Sequence, residues 1–188
     1  MAAELLANPA SKAGAIEITN GSCLCGSITY IISGTPSTTV LCHCISCKKS
    51  SGSAFMANNF YEASVKSQFL SPPTGERSVS VCVFHKTNAY LLVQQFNITS
   101  PTSTLKTYND TSPDDGSFVE RSFCGDCGSN IFIKNPKWKG AVIVATGTLD
   151  YEEALKEWEP EAEFFCKRRG PWLSSIGVNE EKKFNAMT

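Results

Sequence analysis

The sequence lacks a long hydrophobic run, an excess of either charge, an internal repeat and any low-complexity tract. Its longest apolar stretches, such as Ala141 to Ala145, fall far short of the ~20 residues that a bilayer span requires. The opening Met1-Ala-Ala-Glu-Leu-Leu6 has neither the basic start nor the long apolar centre of a signal peptide. A soluble, cytoplasmic protein without a membrane partner is therefore expected. Seventeen lysines and arginines face 18 aspartates and glutamates, a formal net charge of −1. No whole-molecule field exists for gripping phosphate backbones, so nucleic acid is not an expected partner. Nothing in the pattern sets an oligomeric state.

Long amphipathic helices are missing as well. The texture from Gly21 onward is one of short β-branched and aromatic runs bounded by turn residues: Ser27 to Ser33, Phe118 to Phe123, Asn130 to Ile133 and Ala141 to Thr146. Ser71-Pro-Pro-Thr-Gly75 introduces a hairpin-like stretch with Val79 to Phe84 and Ala89 to Phe96 as its apolar arms. The expected class is all-β, with at most one or two short helices. The one fair helix candidate runs from Asp150 to Glu157, where Asp150 can cap and Glu152 and Glu153 complement the helix dipole. Residues 1–20 read as a poorly ordered lead-in, and 21–188 as a single domain. At this length one fold buries roughly 70% of its unfolded-chain surface, enough for a core without disulfide staples.

What the chain does have is cysteine, nine in all. An odd count cannot pair completely within one chain, and a reducing compartment would open ordinary disulfides. Seven of the nine fall into three tight groups, Cys23/Cys25, Cys42/Cys44/Cys47 and Cys124/Cys127; Cys82 and Cys166 stand alone and read as small buried hydrophobes. A Cys-x-Cys or Cys-x-x-Cys pair on a tight turn aims two sulfurs at one point, the usual way short loops fill a tetrahedral zinc shell. Cys23-Leu-Cys25-Gly26 and Cys124-Gly-Asp-Cys127-Gly128 are two such pairs, together four ligands for a closed structural zinc.

Cys42-His43-Cys44-Ile-Ser-Cys47 supplies three sulfurs from one segment. A catalytic zinc commonly keeps three protein ligands and leaves the fourth position to water or substrate. His43 could close the site instead, but the middle residue of a Cys-x-Cys turn tends to point away from its neighbours. It then becomes a candidate to orient ligands or handle a proton, or a histidine bonded only to backbone. The bland alternative for all seven cysteines is a reduced packing set or a pair of redox dithiols.

Taken together, Gly21-Ser-Cys-Leu-Cys-Gly26, Cys42-His-Cys-Ile-Ser-Cys-Lys-Lys-Ser-Ser-Gly-Ser-Ala-Phe55 and Arg121-Ser-Phe-Cys-Gly-Asp-Cys-Gly-Ser129 resemble the glutathione-dependent formaldehyde-activating enzyme family, also known as the centromere-protein-V type domain. Gly147-Thr-Leu-Asp150, Pro160-Glu-Ala-Glu163 and Arg169-Gly-Pro-Trp172 agree with that pattern. The resemblance implies small packed antiparallel sheets around a structural zinc on Cys23, Cys25, Cys124 and Cys127. It also implies a labile catalytic zinc on Cys42, Cys44 and Cys47, hence two zinc ions per chain. The implied activity is that of a carbon-sulfur lyase joining glutathione to formaldehyde, or the reverse, so that the partners are a small thiol and a small aldehyde.

In this reading His43 is the catalytic proton donor, and Lys48 and Lys49 hold a glutathione carboxylate. Two other readings stand beside it: a zinc enzyme acting on another small carbonyl metabolite without glutathione, and a non-catalytic zinc-stabilised binding module. The stretch between Cys47 and Cys124 is longer than the family pattern, which predicts an atypical insertion around 70–103. His85 and Cys82 within it carry no assigned role.

Overall fold

A computed structural model describes residues 18–62, 95–113, 116–138, 140–150, 158–174 and 178–186, together with the backbone of 65–68 and 90–93. The β-dominated class expected from the short apolar runs is what the chain adopts. Three strands form the first sheet: β1 (Ile18–Ser22), β2 (Thr29–Ser33) and β7 (Phe96–Ile98), in the antiparallel order β1-β2-β7. β1 starts at Ile18, ahead of the Gly21 boundary. β7 lies within the segment expected to be an insertion, and it is hydrogen-bonded to β2 through Tyr30↔Ile98 and Ile32↔Phe96.

The second sheet has eight strands in the order β13-β12-β3-β4-β11-β10-β9-β8. They are β3 (Thr38–Cys42), β4 (Met56–Glu62), β8 (Leu105–Asp110), β9 (Val119–Cys124), β10 (Asn130–Lys134), β11 (Ala141–Ala145), β12 (Ala162–Phe164) and β13 (Lys183–Phe184). Most of it is antiparallel, but β12 runs parallel to both β3 and β13, so the sheet is mixed at one edge. β5 (Val65–Gln68) and β6 (Tyr90–Val93) pair separately. Thus β6, from the expected second hairpin arm, has β5 as its described partner. The first arm, Val79 to Phe84, lies outside the described residues, as do His85, Cys82 and residues 151–157 of the helix expected after Asp150. Among the described residues, no helix is long and apolar enough to cross a membrane.

The large sheet is covered on both faces, and strand alternation decides which residue goes where. On β11, Val142 and Val144 join a core with Ile28, Tyr30, Ile32 and Tyr61, whereas Ile143 and Ala145 join a second core with Met56, Val119 and Phe165. An uninterrupted Ala-Val-Ile-Val-Ala run is the sequence form of a strand buried on both sides. Each core contains one group of cysteines. Cys23 and Cys124 belong to the first, Cys42 and Cys47 to the second.

The described residues contain one α-helix, α1 (Ile45–Ser51), and it follows directly on the second cysteine group. Cys44 is its N-cap, with the Cys47 N–H donating to the Cys44 sulfur at 3.3 Å. Lys48 and Lys49 sit in the last turn, where positive charge complements the helix dipole.

Candidate functional site

The four-cysteine group is assembled from two turns of similar build. Cys23 N–H donates to Ile28 C=O and Gly26 N–H to Cys23 C=O; likewise Cys124 N–H donates to Ser129 C=O and Gly128 N–H to Cys124 C=O, each at 2.9 Å. Gly26 and Gly128 have φ of 76° and 77°, the left-handed region that a side chain would strain. That is why a glycine follows each pair. The Leu24 N–H donates to Ser129 Oγ at 3.0 Å and locks one turn on the other. All four sulfurs lie within 4.8 Å of one another. Cys25 Sγ is 3.5 Å from Cys23 Sγ and 3.8 Å from Cys124 Sγ. Zinc–sulfur bonds of about 2.3 Å in a tetrahedron put sulfurs about 3.8 Å apart, so this donor set fits zinc. Cys127 is pulled down to about 5, mainly by the Ser129 hydroxyl and N–H, which favours the thiolate that a metal needs.

The second group gathers Cys42 at the end of β3, Cys44 at the helix cap and Cys47 in the first turn of α1, their sulfurs again within 4.8 Å of one another. Hydrogen bonding from Cys42 and Cys47 pulls Cys44 down to about 3. The same contacts push Cys42 far up, while Cys47, drawn down by Cys42 but raised by Cys44 and burial, goes up to about 12. Thiolates this close repel one another, so full ionisation of all three is favoured by an added positive charge. A divalent cation supplies it. Both groups can hold metal ions.

The trio opens into a cavity of about 460 Å³. Val40 and apolar side chains of the second core, including Phe60, Ile143 and Trp138, form much of its wall. Its described charged lining is entirely basic: Lys49, Arg121, Lys167 and Arg168.

The residues expected from sequence to act beside the trio separate here. Lys49 lines the cavity. Lys48 does not, and its Nζ donates to the Arg168 carbonyl at 2.7 Å. His43 is fully buried. Its backbone N–H donates to Phe164 C=O at 2.9 Å, and its Nε2 lies 3.3 Å from Glu163 Oε1. Phe55 meets the ring edge-on at 6.0 Å between centroids. The ring is thus turned from the trio, as the Cys-x-Cys alternation suggested, and it does not line the cavity. Glu163, itself fully buried, accepts from Arg169 Nη1 at 3.0 Å through its other oxygen. Cys166 sits next to the same carboxylate, its thiol donating weakly to the Glu163 carbonyl at 3.5 Å.

Sequence reasoning gave no role to Arg121, Asp110 or Glu163. Arg121 belongs to a quoted motif, and strand alternation held the missing signal. On β9, Val119 joins the trio's core and Cys124 the opposite one, so Arg121, in step with Val119, faces the trio. No local pattern marks Asp110, which reaches the site through the pairing of β8 with β9.

The family model for "Glutathione-dependent formaldehyde-activating enzyme" matches residues 18–72 and 77–168, most of the chain and all seven clustered cysteines. No curated protein matches. A solved protein from Rhodobacter sphaeroides is similar at 12% identity over 75% of this chain and 96% of that one, with a TM-score of 0.46, too low a likeness to carry an argument.

Proposed function

The chain belongs to the glutathione-dependent formaldehyde-activating enzyme family, and from that premise we propose that it joins a thiol, glutathione, to a small aldehyde such as formaldehyde, or cleaves the same carbon-sulfur bond. The observation that carries the proposal is the contrast in ligand number. Four sulfurs converge in one group and three in the other, and the three face a cavity with basic lining. Cys23, Cys25, Cys124 and Cys127 would hold a structural zinc, and Cys42, Cys44 and Cys47 a catalytic one. A zinc ion on the trio would acidify an incoming thiol and polarise a carbonyl.

The chain's own groups do the rest. Lys49 and Lys167 attract the carboxylates of a thiol-bearing anion, and the apolar wall excludes water from the reacting sulfur and carbon. His43 acts through the turn: with Glu163 and the Phe164 carbonyl it fastens the Cys42–Cys44 segment to β12. The proton lost by the thiol must reach the new hydroxyl by way of the cavity, since the His43 ring does not line it.

The size and apolarity of the wall favour a second reading, in which the electrophile is a bulkier carbonyl compound than formaldehyde. Glutathione–formaldehyde exchange followed by NMR on fully zinc-loaded protein tests the first reading. Exchange faster than the spontaneous reaction, lost in Cys44→Ser, is the expected result. No acceleration would remove the formaldehyde assignment, and acceleration only with larger aldehydes would establish the second reading.

A further inference from the structure

Arg121 is buried, with 8% of its surface exposed, and it borders the same cavity as the three thiols. Asp110, also buried, accepts from Arg121 Nε at 2.7 Å. The other carboxylate oxygen of Asp110 accepts the Ser112 N–H at 3.0 Å and the Ser112 hydroxyl. Ser112 Oγ lies 2.8 Å from Ser46 Oγ on α1, one residue before Cys47. A chain of polar contacts thus ties the guanidinium to the helix that carries Cys47. At its other end the fork is incomplete: Nη1 is buried and makes no hydrogen bond. A dry cationic donor left unpaired is costly, and native sites that keep one have a partner that completes it.

The groups that feel this charge are sulfurs. Cys42, Cys44 and Cys47 line the same cavity as the guanidinium. Asp110, 2.7 Å from Nε, offsets the cost of burying the guanidinium charge. Three thiolates carry one negative charge more than a divalent ion cancels. A fixed cation on their protein side is what a stable three-sulfur site lacks.

We propose that Arg121 is a positioning residue for the trio: Asp110 holds its Nε, and its unpaired fork nitrogen donates to the Cys47 sulfur in the metal-loaded site. This rests on reading the trio as a metal site. Such an N–H···S contact draws charge from the thiolate, steadies the sulfur in place and sets how tightly the three hold their ion. The permanent charge of an arginine suits this role at any working pH.

The test is zinc retention by the full chain under a chelator, with zinc per chain counted by elemental analysis, and the absorption of the cobalt-substituted protein. Asp110→Asn/Arg121→Met removes both halves of the ion pair and leaves no orphaned charge. Its second zinc is expected to leave at roughly 10–100-fold lower chelator concentration while the first stays, following the usual effect of ligand-orienting partners. Its thiolate-to-cobalt band should move to lower energy, because loss of the donor raises the sulfur electrons. Arg121→Lys, which keeps the charge and one donor nitrogen, should recover part of both losses.

Unchanged retention and an unshifted band in the double variant would overturn the inference and leave the proposed function standing. So would equal losses in Arg121→Lys, the mark of a packing strut. If the double variant does not fold, Arg121→Lys decides alone, and wild-type zinc retention in it would overturn the inference. A wild-type chain holding a single zinc would overturn the metal reading of the trio and this inference with it.

Discussion

The two cysteine groups lie on opposite faces of one sheet and are closed by different chemistry. Cys23/Cys25 and Cys124/Cys127 come from turns about a hundred residues apart, and sulfur itself bridges them, with Cys25 Sγ 3.8 Å from Cys124 Sγ. The trio comes from one short segment, so its ligands fasten nothing remote. There the long-range closure falls to a carboxylate: Glu163, 120 residues from His43, pins the Cys42–Cys44 turn through the imidazole and binds Arg169 with its other oxygen. Where sulfur makes the long-range link, all four ligand positions of the proposed metal would be spent on stability. Where a carboxylate makes it, the metal proposed for the trio would keep a ligand position open for chemistry.

The largest expected effect follows from breaking the sulfur link. Cys124→Ser should fail to fold or lose cooperative melting in circular dichroism, since structural zinc contributes on the order of 10 kcal/mol to small zinc-held folds. A Cys124→Ser chain with a wild-type Tm would erase the contrast between the two faces.

Cys44→Ser should be lost to catalysis and not to folding. Zinc per chain is expected to fall from near two to near one, with Tm changed by only a few degrees and thiol–aldehyde exchange at the spontaneous rate. A wild-type zinc count of one or below, without loss during purification, would break the two-site reading.

Glu163→Gln keeps the shape and removes the charge that His43 and Arg169 share. Chemical denaturation should register about 1–3 kcal/mol of lost stability, and chelation should strip the trio's zinc before the four-cysteine zinc. Equal sensitivity of the two zincs would deny Glu163 its role as the closure of that face.

The smallest effect belongs to Lys49→Ala. At a partly exposed cationic rim the expected change is a few-fold rise in KM for glutathione with kcat nearly unchanged, fading as salt rises. A salt-independent KM would remove Lys49 from carboxylate binding.

The two cysteine groups that could hold metal were legible because metal chemistry demands a residue type at a spacing, and the spacing is local within each cluster. Thr29–Ser33, Val119–Cys124 and Ala141–Ala145 were legible as strands, since β-branched runs between turn residues carry the signal themselves. α1 was not. Its seven residues, Ile-Ser-Cys-Lys-Lys-Ser-Ser, show no amphipathic period, and its start depends on the Cys44 sulfur accepting the Cys47 N–H. The parallel addition of β12 to β3 was equally silent, because parallel pairing joins segments without a tight turn to announce it.

By itself, then, the sequence determined which atoms can bind metal, how many stand in each group, and that short strands would carry them, because these depend on residue type and near neighbours. Only the tertiary structure decided that the two groups face opposite sides of one sheet, that His43 turns from the trio toward Glu163, that Lys48 is spent on a backbone carbonyl, and that Arg121 and Asp110 stand at the trio. Each depends on strands and loops brought together across long stretches of chain, where the deciding quantity is which face a side chain is given and what it meets there.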